Sequence, residues 1–490
     1  MSSGSHQSKV SDVIESLGPG QFLVNQTILG AGIWVASGSQ LIIITAVTLV
    51  IAREWGLTGW QRSATVSVVF LGKMIGNFVS GPCVDTVGRR LPIVAAYCLV
   101  SVFSGVAAFA PGFMALCTAR FVLGLAFGMA QTAWAALSAE ITPADWRMIA
   151  NIASSIMFIV GEIYAGYLVW FSDPQLENLA WRWLTVAGAA PALVVGLAAV
   201  FFLKESASWL ALRAQYHQAR EVLLSMQWWN GKAGERIDFT SYESSSDPVT
   251  STLNWASVRQ QVALACGPAL RYTTCALCFT CFVLNFVYYG GFYAFPLVLG
   301  NVDMGASPAV ALFVGIMWEL PGYFAAALCS MFFSRRVSII AYLILMACST
   351  IMFVRGAVPE MRESKEMLAQ YLVHIGYAGM KCWINMGFVI VYQYTAEVYP
   401  TCARAAGTGL CIGCGRLGSI FVPFVFEAMA GMFNDSWIPF FYTMAILCAV
   451  NTLLIMSLPF ETWGVTLKDH VDEMNEAEPL TSCGARKLFV

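Results

Sequence analysis

The chain has 490 residues, of which 58% are hydrophobic and 11% charged, and its formal net charge is -2. Soluble globular proteins carry roughly a quarter charged residues, so this composition excludes a water-soluble fold and assigns lipid as the solvent for most of the outer surface. The slight negative balance also excludes the basic footprint of a nucleic-acid-binding protein.

The chain opens on a polar, mixed stretch, residues 1–32, read as a cytosolic N-terminal segment without a cleavable signal peptide. Apolar stretches of about 20 residues, enough to cross a bilayer as helix, then recur at 33–52, 64–82, 91–109, 114–136, 149–170 and 184–203. A polar segment, 204–270, combines a helical stretch from Glu205 to Trp229 with a Ser-rich loop around Ser241 to Ser251, and reads as an exposed cytosolic linker. Apolar stretches resume at 271–299, 308–331, 337–354, 369–395, 405–425 and 437–458. The expectation is therefore an all-α membrane protein with twelve transmembrane helices in two six-helix bundles, 33–203 and 271–458. The cytosolic tail, 459–490, is acidic and then basic and reads as disordered. Its terminal Leu488-Phe489-Val490 is a weak match to a carboxylate-groove ligand.

An even number of spans puts both termini on one side. Arg89, Arg90, Arg147, Arg335, Arg336 and Arg404 fall in loops on that side, while Arg53, Arg62, Arg182, Arg355, Arg362 and Lys365 fall opposite. The short loops balance; the basic residues of the tails and of 204–270 tip the bias towards cytosolic termini. The fifteen cysteines lie almost entirely within apolar runs, which fits reduced, packed thiols rather than a disulfide framework. Cys275, Cys278 and Cys281 recur every third residue. On an apolar helix they read as small packing residues before they read as a metal face.

Two loops repeat one pattern. Residues 139–147 run Ala-Glu-Ile-Thr-Pro-Ala-Asp-Trp-Arg, and residues 396–404 run Ala-Glu-Val-Tyr-Pro-Thr-Cys-Ala-Arg. The shared A-E-[IV]-x-P-x-x-x-R follows the fourth span of each half, so the halves are structural repeats of the kind transporters use around a central substrate site. Glu140 with Arg147, and Glu397 with Arg404, are placed to pair across their loops, with the proline ending the preceding helix.

These residues carry a family resemblance. Gly81-x-x-x-Asp85-x-x-Gly88-Arg89-Arg90, between the second and third spans, resembles the best-known loop motif of the major facilitator superfamily, and Arg120-x-x-x-Gly124 resembles its second. Trp181-Arg182-Trp183-Leu184, Lys204 through Leu210, Tyr288-Tyr289-Gly290, Glu397 through Thr401 and Leu458 through Thr462 resemble the branch that holds organic-ion transporters and synaptic-vesicle-glycoprotein-like proteins. Together they cover about residues 15–465. Trp34-Val35-Ala36 is followed by Ser37 and Gln40, where members of the branch often carry acidic residues, and the second-half copy of the loop motif is reduced to Ser334-Arg335-Arg336. Asn434-Asp435-Ser436 is a formal glycosylation sequon that lies too near the membrane for use. The resemblance implies a monomeric, multi-pass transporter of the plasma membrane or of an intracellular vesicle. Asp85, Gly88, Arg89, Arg90, Glu140, Arg147, Glu397 and Arg404 would then be its gating loops.

Six ionisable residues fall well inside spans: Lys73, Arg120, Glu162, Glu319, Lys381 and Arg416. Charges at bilayer depth are costly and mark function by default. The third, sixth, ninth and twelfth spans of the chain, the lipid-facing scaffold in the superfamily, contain none. Lys73 can pair with a carboxylate or contact substrate, and Arg120 can relay charge or anchor structure. Glu162 can take a proton, though neutralising Arg120 is the slightly preferred role. Glu319 precedes Pro321-Gly322, where a bend would open it to a cavity. Arg416 lies between Gly415 and Gly418, at a position that looks acidic in cation-carrying members of the branch and basic in anion-carrying ones. Tyr288, Tyr289 and Tyr293, beside Gly290-Gly291, supply rings for a planar solute.

Four positive against two negative candidates favour an anionic ligand. The reading is a secondary active or facilitative transporter, moving a small organic anion by alternating access, with a co-transported proton or ion. An organic cation, a sugar or another neutral metabolite stays open, as does a non-transporting receptor or trafficking protein on the same fold. No cofactor or metal is expected. No nucleophile–base or metal-ligand set points to an enzyme.

Overall fold

The computed structural model describes residues 10–232, 237, 259, 262–268, 270–302, 304–358, 361, 366–399, 404–458 and 461. The Ser-rich loop, Arg362, Lys365, Pro400 and the tail apart from Glu461, with its Leu488-Phe489-Val490 terminus, lie outside the described residues. Every described regular element is a helix, as expected where lipid offers no partner for an open backbone group. Two compact units emerge. The first holds α1 (Val10–Leu17), α2 (Gln21–Trp55), most of α3 (Gly59–Val87), α4 (Arg90–Ala108), α5 (Phe113–Ile141), α6 (Arg147–Ser172), α7 (Trp181–Ala187), α8 (Ala190–Phe202), α9 (Ala207–Leu212) and α10 (Tyr216–Trp229). The second holds α11 (Arg271–Val298), α12 (Pro308–Met317), α13 (Glu319–Phe332), α14 (Arg335–Ala357), α15 (Glu366–Val398), α16 (Arg404–Met432) and α17 (Ile438–Met456), together with Leu57–Ser67 and Asp173–Glu177.

Among the described residues, eleven helical stretches are long and apolar enough to cross a membrane, α7–α8 and α12–α13 each counting as one. The twelfth is α15, whose 33 residues include Lys381, Asn385 and Gln393, which dilute its hydropathy. The helix that carries the first span starts at Gln21 rather than at 33, and Gln26 and Thr27 in its first turns are buried. Gln26 donates to the Phe202 carbonyl at 3.2 Å and accepts from the Lys204 amide at 2.8 Å, closing the end of α8.

Within the first unit, α3 and α5 meet through four glycines. A Cβ at Gly72, Gly76, Gly124 or Gly128 would strike backbone of the facing helix at Phe121, Leu125, Val69 and Lys73 respectively. Small residues at four-residue spacing let helix backbones approach in lipid, where association rests on packing. The sixth span breaks between α7 and α8 because Pro191 has no N–H for the Ala187 carbonyl. The Tyr164 hydroxyl donates to that carbonyl at 2.9 Å, and Ser39 donates to the Gly188 carbonyl at 3.0 Å.

The segment expected as an exposed linker has a core of its own. Val10, Val13, Ile14 and Leu17 fall on one face of α1 at helical spacing, and they pack with Leu210 of α9 and with Leu223 and Met226 of α10. Asn230 ties the elements together, donating to the Leu17 and Gly18 carbonyls at 3.3 and 3.0 Å and accepting from the Phe22 amide at 3.1 Å.

Replacing Gly124 by Leu puts a branched side chain where the Val69 carbonyl lies. Overpacking of this kind costs about 1–3 kcal/mol or more. The expected outcome is a lower melting temperature and a smaller monodisperse fraction in detergent. Gly112→Leu, at a site with open space around its Cβ, should match the wild type.

Candidate functional site

The repeated loops build the same device twice. In the first unit, Arg89 and Arg90 begin α4, whose first amides have no partner within the helix. The Glu205 carboxylate accepts from both amides at 3.0 Å. The Arg89 guanidinium donates to the Val84 carbonyl at 3.2 Å and to Glu140 at 2.8 Å, with Asp85 at 3.5 Å. Arg90 donates to the Val200 carbonyl at 2.6 Å. In the second unit, Glu461 accepts from the Arg335 and Arg336 amides at 3.0 and 3.3 Å. Arg335 donates to the Ser330 carbonyl at 3.2 Å and to Glu397 at 3.2 and 3.3 Å, and Arg336 donates to the Met456 carbonyl at 2.6 Å. Ser334-Arg335-Arg336 thus keeps the bonds that the two arginines make in the complete motif, without its Asp or Gly. An ionised acceptor at a helix N-terminus forms bonds roughly twice as strong as neutral ones and complements the helix dipole.

The sequence pairing of Glu140 with Arg147 across the loop gives way to Glu140 with Arg89, because Arg89 reaches the carboxylate from the start of α4. Arg147 turns to the Thr142 carbonyl at 3.4 Å, and Arg404 makes the equivalent bond to the Tyr399 carbonyl at 3.3 Å. Glu397 is held by Arg335 in the same way. Gly88 sits at φ +102°, with the Glu205 carboxylate where a Cβ would project, so only glycine fits the turn. Trp209 of α9 and Arg213, which caps its end, add further contacts. The indole donates to the Asp85 carbonyl at 3.1 Å, and Arg213 donates to the Asp85 and Thr86 carbonyls at 3.0 and 3.2 Å, satisfying the end of α3.

Deeper in the first unit, the candidate charges face α2. Lys73 approaches the Ser37 hydroxyl at 3.4 Å and lies 5.8 Å from the Trp34 ring centre. Glu162 is fully buried, and its Cγ packs against Gly38, next to Ser37. Arg120 donates to Thr48 at 3.2 Å, ten residues or about 15 Å farther along α2. Glu162 therefore sits level with Lys73 rather than with Arg120, whose neutralisation it was expected to supply.

In the second unit, Lys381 and Glu319 form an ion pair at 2.9 Å, and Asn385 donates to the second carboxylate oxygen at 3.1 Å. The ammonium rests 3.9 Å from the centre of the Phe292 ring. Helix 308–332 breaks at Trp318, before Pro321, and so begins α13 with Glu319 inside the bundle. Arg416 is different. It is buried, donates to the Tyr289 hydroxyl at 3.3 Å, has no hydrogen-bond partner at Nε and forms no ion pair among the described residues.

Tyr288 packs edge-on against Tyr289, Phe292 and Phe388, with centroids 4.7–5.0 Å apart. Phe388 meets Tyr392, whose hydroxyl accepts from Asn285 at 3.2 Å. Tyr289 and Tyr288 thus belong to one aromatic cluster with Arg416. Tyr293 does not, since its hydroxyl is taken by Glu427, which also receives a two-pronged bond from Arg62 in the Leu57–Ser67 part of this unit.

Arg62, Glu427, Asn285 and Phe388 are the residues that sequence reasoning missed. Glu427 lies two positions beyond the expected end of its span, and so escaped the count of buried charges. A separate cavity of about 640 Å³, lined by Val314, Trp318, Tyr377, Gly379 and Trp383 among others, contains none of the candidate residues.

Twelve spans in two repeated halves, paired charges in the interior and matching carboxylate clasps define a polytopic carrier of small solutes. Comparison with known proteins agrees. Residues 24–474 match the family described as Sugar (and other) transporter. The chain belongs to this family, within the major facilitator superfamily. It is 25% identical to the rat synaptic vesicle 2-related protein, covering 94% of this chain and 82% of that one. It is 24% identical to organic cation/carnitine transporter 7 of Arabidopsis thaliana, over 97% and 99% of the two chains. The fold is similar to the partially occluded inward-open xylose transporter XylE of E. coli, with a TM-score of 0.68 at 16% identity, covering 91% of this chain and all of that one. The protein is accordingly a multi-pass membrane transporter and not an enzyme.

If Glu461 is the second-unit counterpart of Glu205, Glu461→Ala should expose the Arg335 and Arg336 amides as Glu205→Ala exposes those of Arg89 and Arg90. Hydrogen exchange at each pair should speed up about tenfold or more in the matching variant, as expected for loss of a bond worth 1.5 kcal/mol or more. Unchanged exchange at Arg335 and Arg336 would break the equivalence.

Proposed function

We propose that the protein carries a small organic anion by alternating access, with Arg416 as the group that binds the anion's charge. The observation behind this reading is the contrast between two buried cations of the second unit. Lys381 already has Glu319 as its counter-ion, whereas Arg416 has a neutral tyrosine hydroxyl and a guanidinium nitrogen without a partner. A desolvated cation is costly until an anion joins it. Tyr288, Tyr289, Phe388 and Tyr392 supply flat apolar walls beside it, suited to the organic part of such a ligand. Lys381 then serves by holding Glu319 rather than by touching substrate.

Glu319 is the proposed coupling group. Adding a proton to it would remove the charge that holds Lys381, and so change the electrostatics at Phe292, which packs against Tyr288 of the aromatic cluster. Glu162, level with Lys73, is the corresponding candidate in the first unit, and Arg120 an anchor on α2 through Thr48. The carboxylate clasps at Glu205 and Glu461, with Asp85, Glu140, Arg147, Glu397 and Arg404, would hold one closed state at the cytosolic ends. Both termini would share that side, in the plasma membrane or a vesicle membrane.

Uptake of labelled organic anions, cations and sugars by proteoliposomes tests the substrate class directly. Arg416→Ala should lower anion uptake at least a hundredfold without loss of folded protein, while Lys381→Met combined with Glu319→Met should retain anion binding. Wild-type uptake of a cation or sugar alone would replace this reading. For coupling, wild-type uptake should rise as the outside pH falls, and the rise should vanish in Glu319→Gln. A wild-type rate independent of pH would mean facilitated diffusion.

A further inference from the structure

The second unit carries a group of thiols to which the proposed transport chemistry gives no part. Cys275, Cys278 and Cys281 lie three residues apart on α11, and Cys411 and Cys414 are likewise three apart on α16. All five are free. The two columns face each other. Cys278 Sγ is 3.8 Å from Cys411 Sγ, and Cys414 is a second hydrogen-bonding neighbour of Cys278.

The close approach has a cause in the adjoining turn of α16. A Cβ at Gly415 would meet Asn285 and the Cys281 carbonyl, and one at Gly418 would meet the Phe282 carbonyl and the Phe286 amide. Without those methyl groups α16 lies against α11, and the thiols one turn below are brought together. Cys411 is fully buried and also contacts the Tyr399 hydroxyl at 3.3 Å, while Cys278 and Cys414 are half-buried.

We propose that Cys278, with Cys411 or Cys414, is an oxidisable dithiol whose disulfide pins α11 to α16 beneath the Tyr289–Arg416 contact. The oxidant is a hydroperoxide, small and uncharged enough to reach a half-buried thiol. Cys278 sulfur attacks one peroxide oxygen, breaking the O–O bond and giving a sulfenic acid and water from hydrogen peroxide. The sulfur of Cys411 or Cys414 then displaces the hydroxyl, forming the S–S bond and releasing a second water. Two thiols lose two electrons and two protons, and the peroxide is reduced.

A disulfide needs about 2.05 Å between the sulfurs and about 3.5–4.5 Å between the Cβ atoms. From 3.8 Å, the remaining approach is within reach of rotamer changes and a small closing of two helices already in contact. Arg416 lies five residues beyond Cys411 on α16, so the bond would fix the helix that carries it. Bond formation does not depend on the anion reading; only the consequence for Arg416 rests on it.

Purified full-length protein, treated with hydrogen peroxide and then blocked with N-ethylmaleimide, tests this by mass spectrometry of its peptides. A linked pair joining Cys278 to Cys411 or Cys414 is expected, together with slowed hydrogen exchange along α11 and α16. Dithiothreitol should reverse both. Cys278→Ser should abolish the link, and Cys275→Ser, at the exposed thiol on the same helix, should keep it. In the double variant Cys411→Ser, Cys414→Ser, oxidation should stop at the sulfenic or sulfinic acid of Cys278. Recovery of Cys278 fully alkylated after peroxide, or a link that survives Cys278→Ser, would overturn the proposal. A link that forms without slowing exchange would leave the bond but refute the pinning of α11 to α16.

Discussion

A hydrogen-bonding group left without a partner in hydrocarbon costs several kcal/mol, and this cost runs through every level of the structure. It makes every described span a helix. It also explains what happens where the helix fails, since the carbonyl that Pro191 leaves free is taken by the Tyr164 hydroxyl from α6. At the helix ends, two carboxylates, Glu205 and Glu461, bind the first amides of α4 and α14. At mid-depth, Lys381 is held by Glu319, which is in turn bonded to Asn385. Arg416, buried beside a tyrosine hydroxyl and without an ion pair among the described residues, carries the functional proposal.

The two clasps show how repeated halves can diverge in sequence while keeping one set of contacts. The complete motif with Asp85 and Gly88 and the reduced Ser334-Arg335-Arg336 share the two arginines, and those arginines make all the conserved bonds: amides to a carboxylate, one guanidinium to a carbonyl five residues back, the other to the end of a following helix. Asp85 adds a long contact at 3.5 Å, and Gly88 supplies a turn at positive φ that Ser334 manages in an extended conformation. The two arginines are therefore the essential part of the motif, and the other residues adapt the turn around them.

Much of the fold could be read from hydropathy alone, because a span must be both long and apolar. The expectation was weakest where polar residues lie inside a helix or apolar ones outside the membrane. Gln26 made the first span look shorter than α2 is, and the buried face of α1 and α10 was hidden in a segment that reads as polar overall. The candidate site was partly legible. Buried charge singled out Lys381, Glu319 and Arg416 as candidates, yet one-dimensional order holds no information on which pair meets. Lys381 and Glu319 are 62 positions apart, and the contact depends on the break at Trp318 that turns Glu319 inward. Tyr293 looked equivalent to Tyr289, one turn away, until Glu427 was found to occupy its hydroxyl.

The number of spans, their division into two related halves and the arginine motifs follow from local composition and a repeated pattern, because the bilayer acts on each segment independently. The partner of each buried charge, by contrast, depends on which helix faces lie together and at what height. Those faces are set by close packing through glycines such as Gly124 and Gly418, and by the breaks at Pro191 and Trp318. Only the folded arrangement decides that Lys381 is neutralised, that Glu162 lies level with Lys73, and that Arg416 faces a ring of tyrosines with part of its charge unanswered.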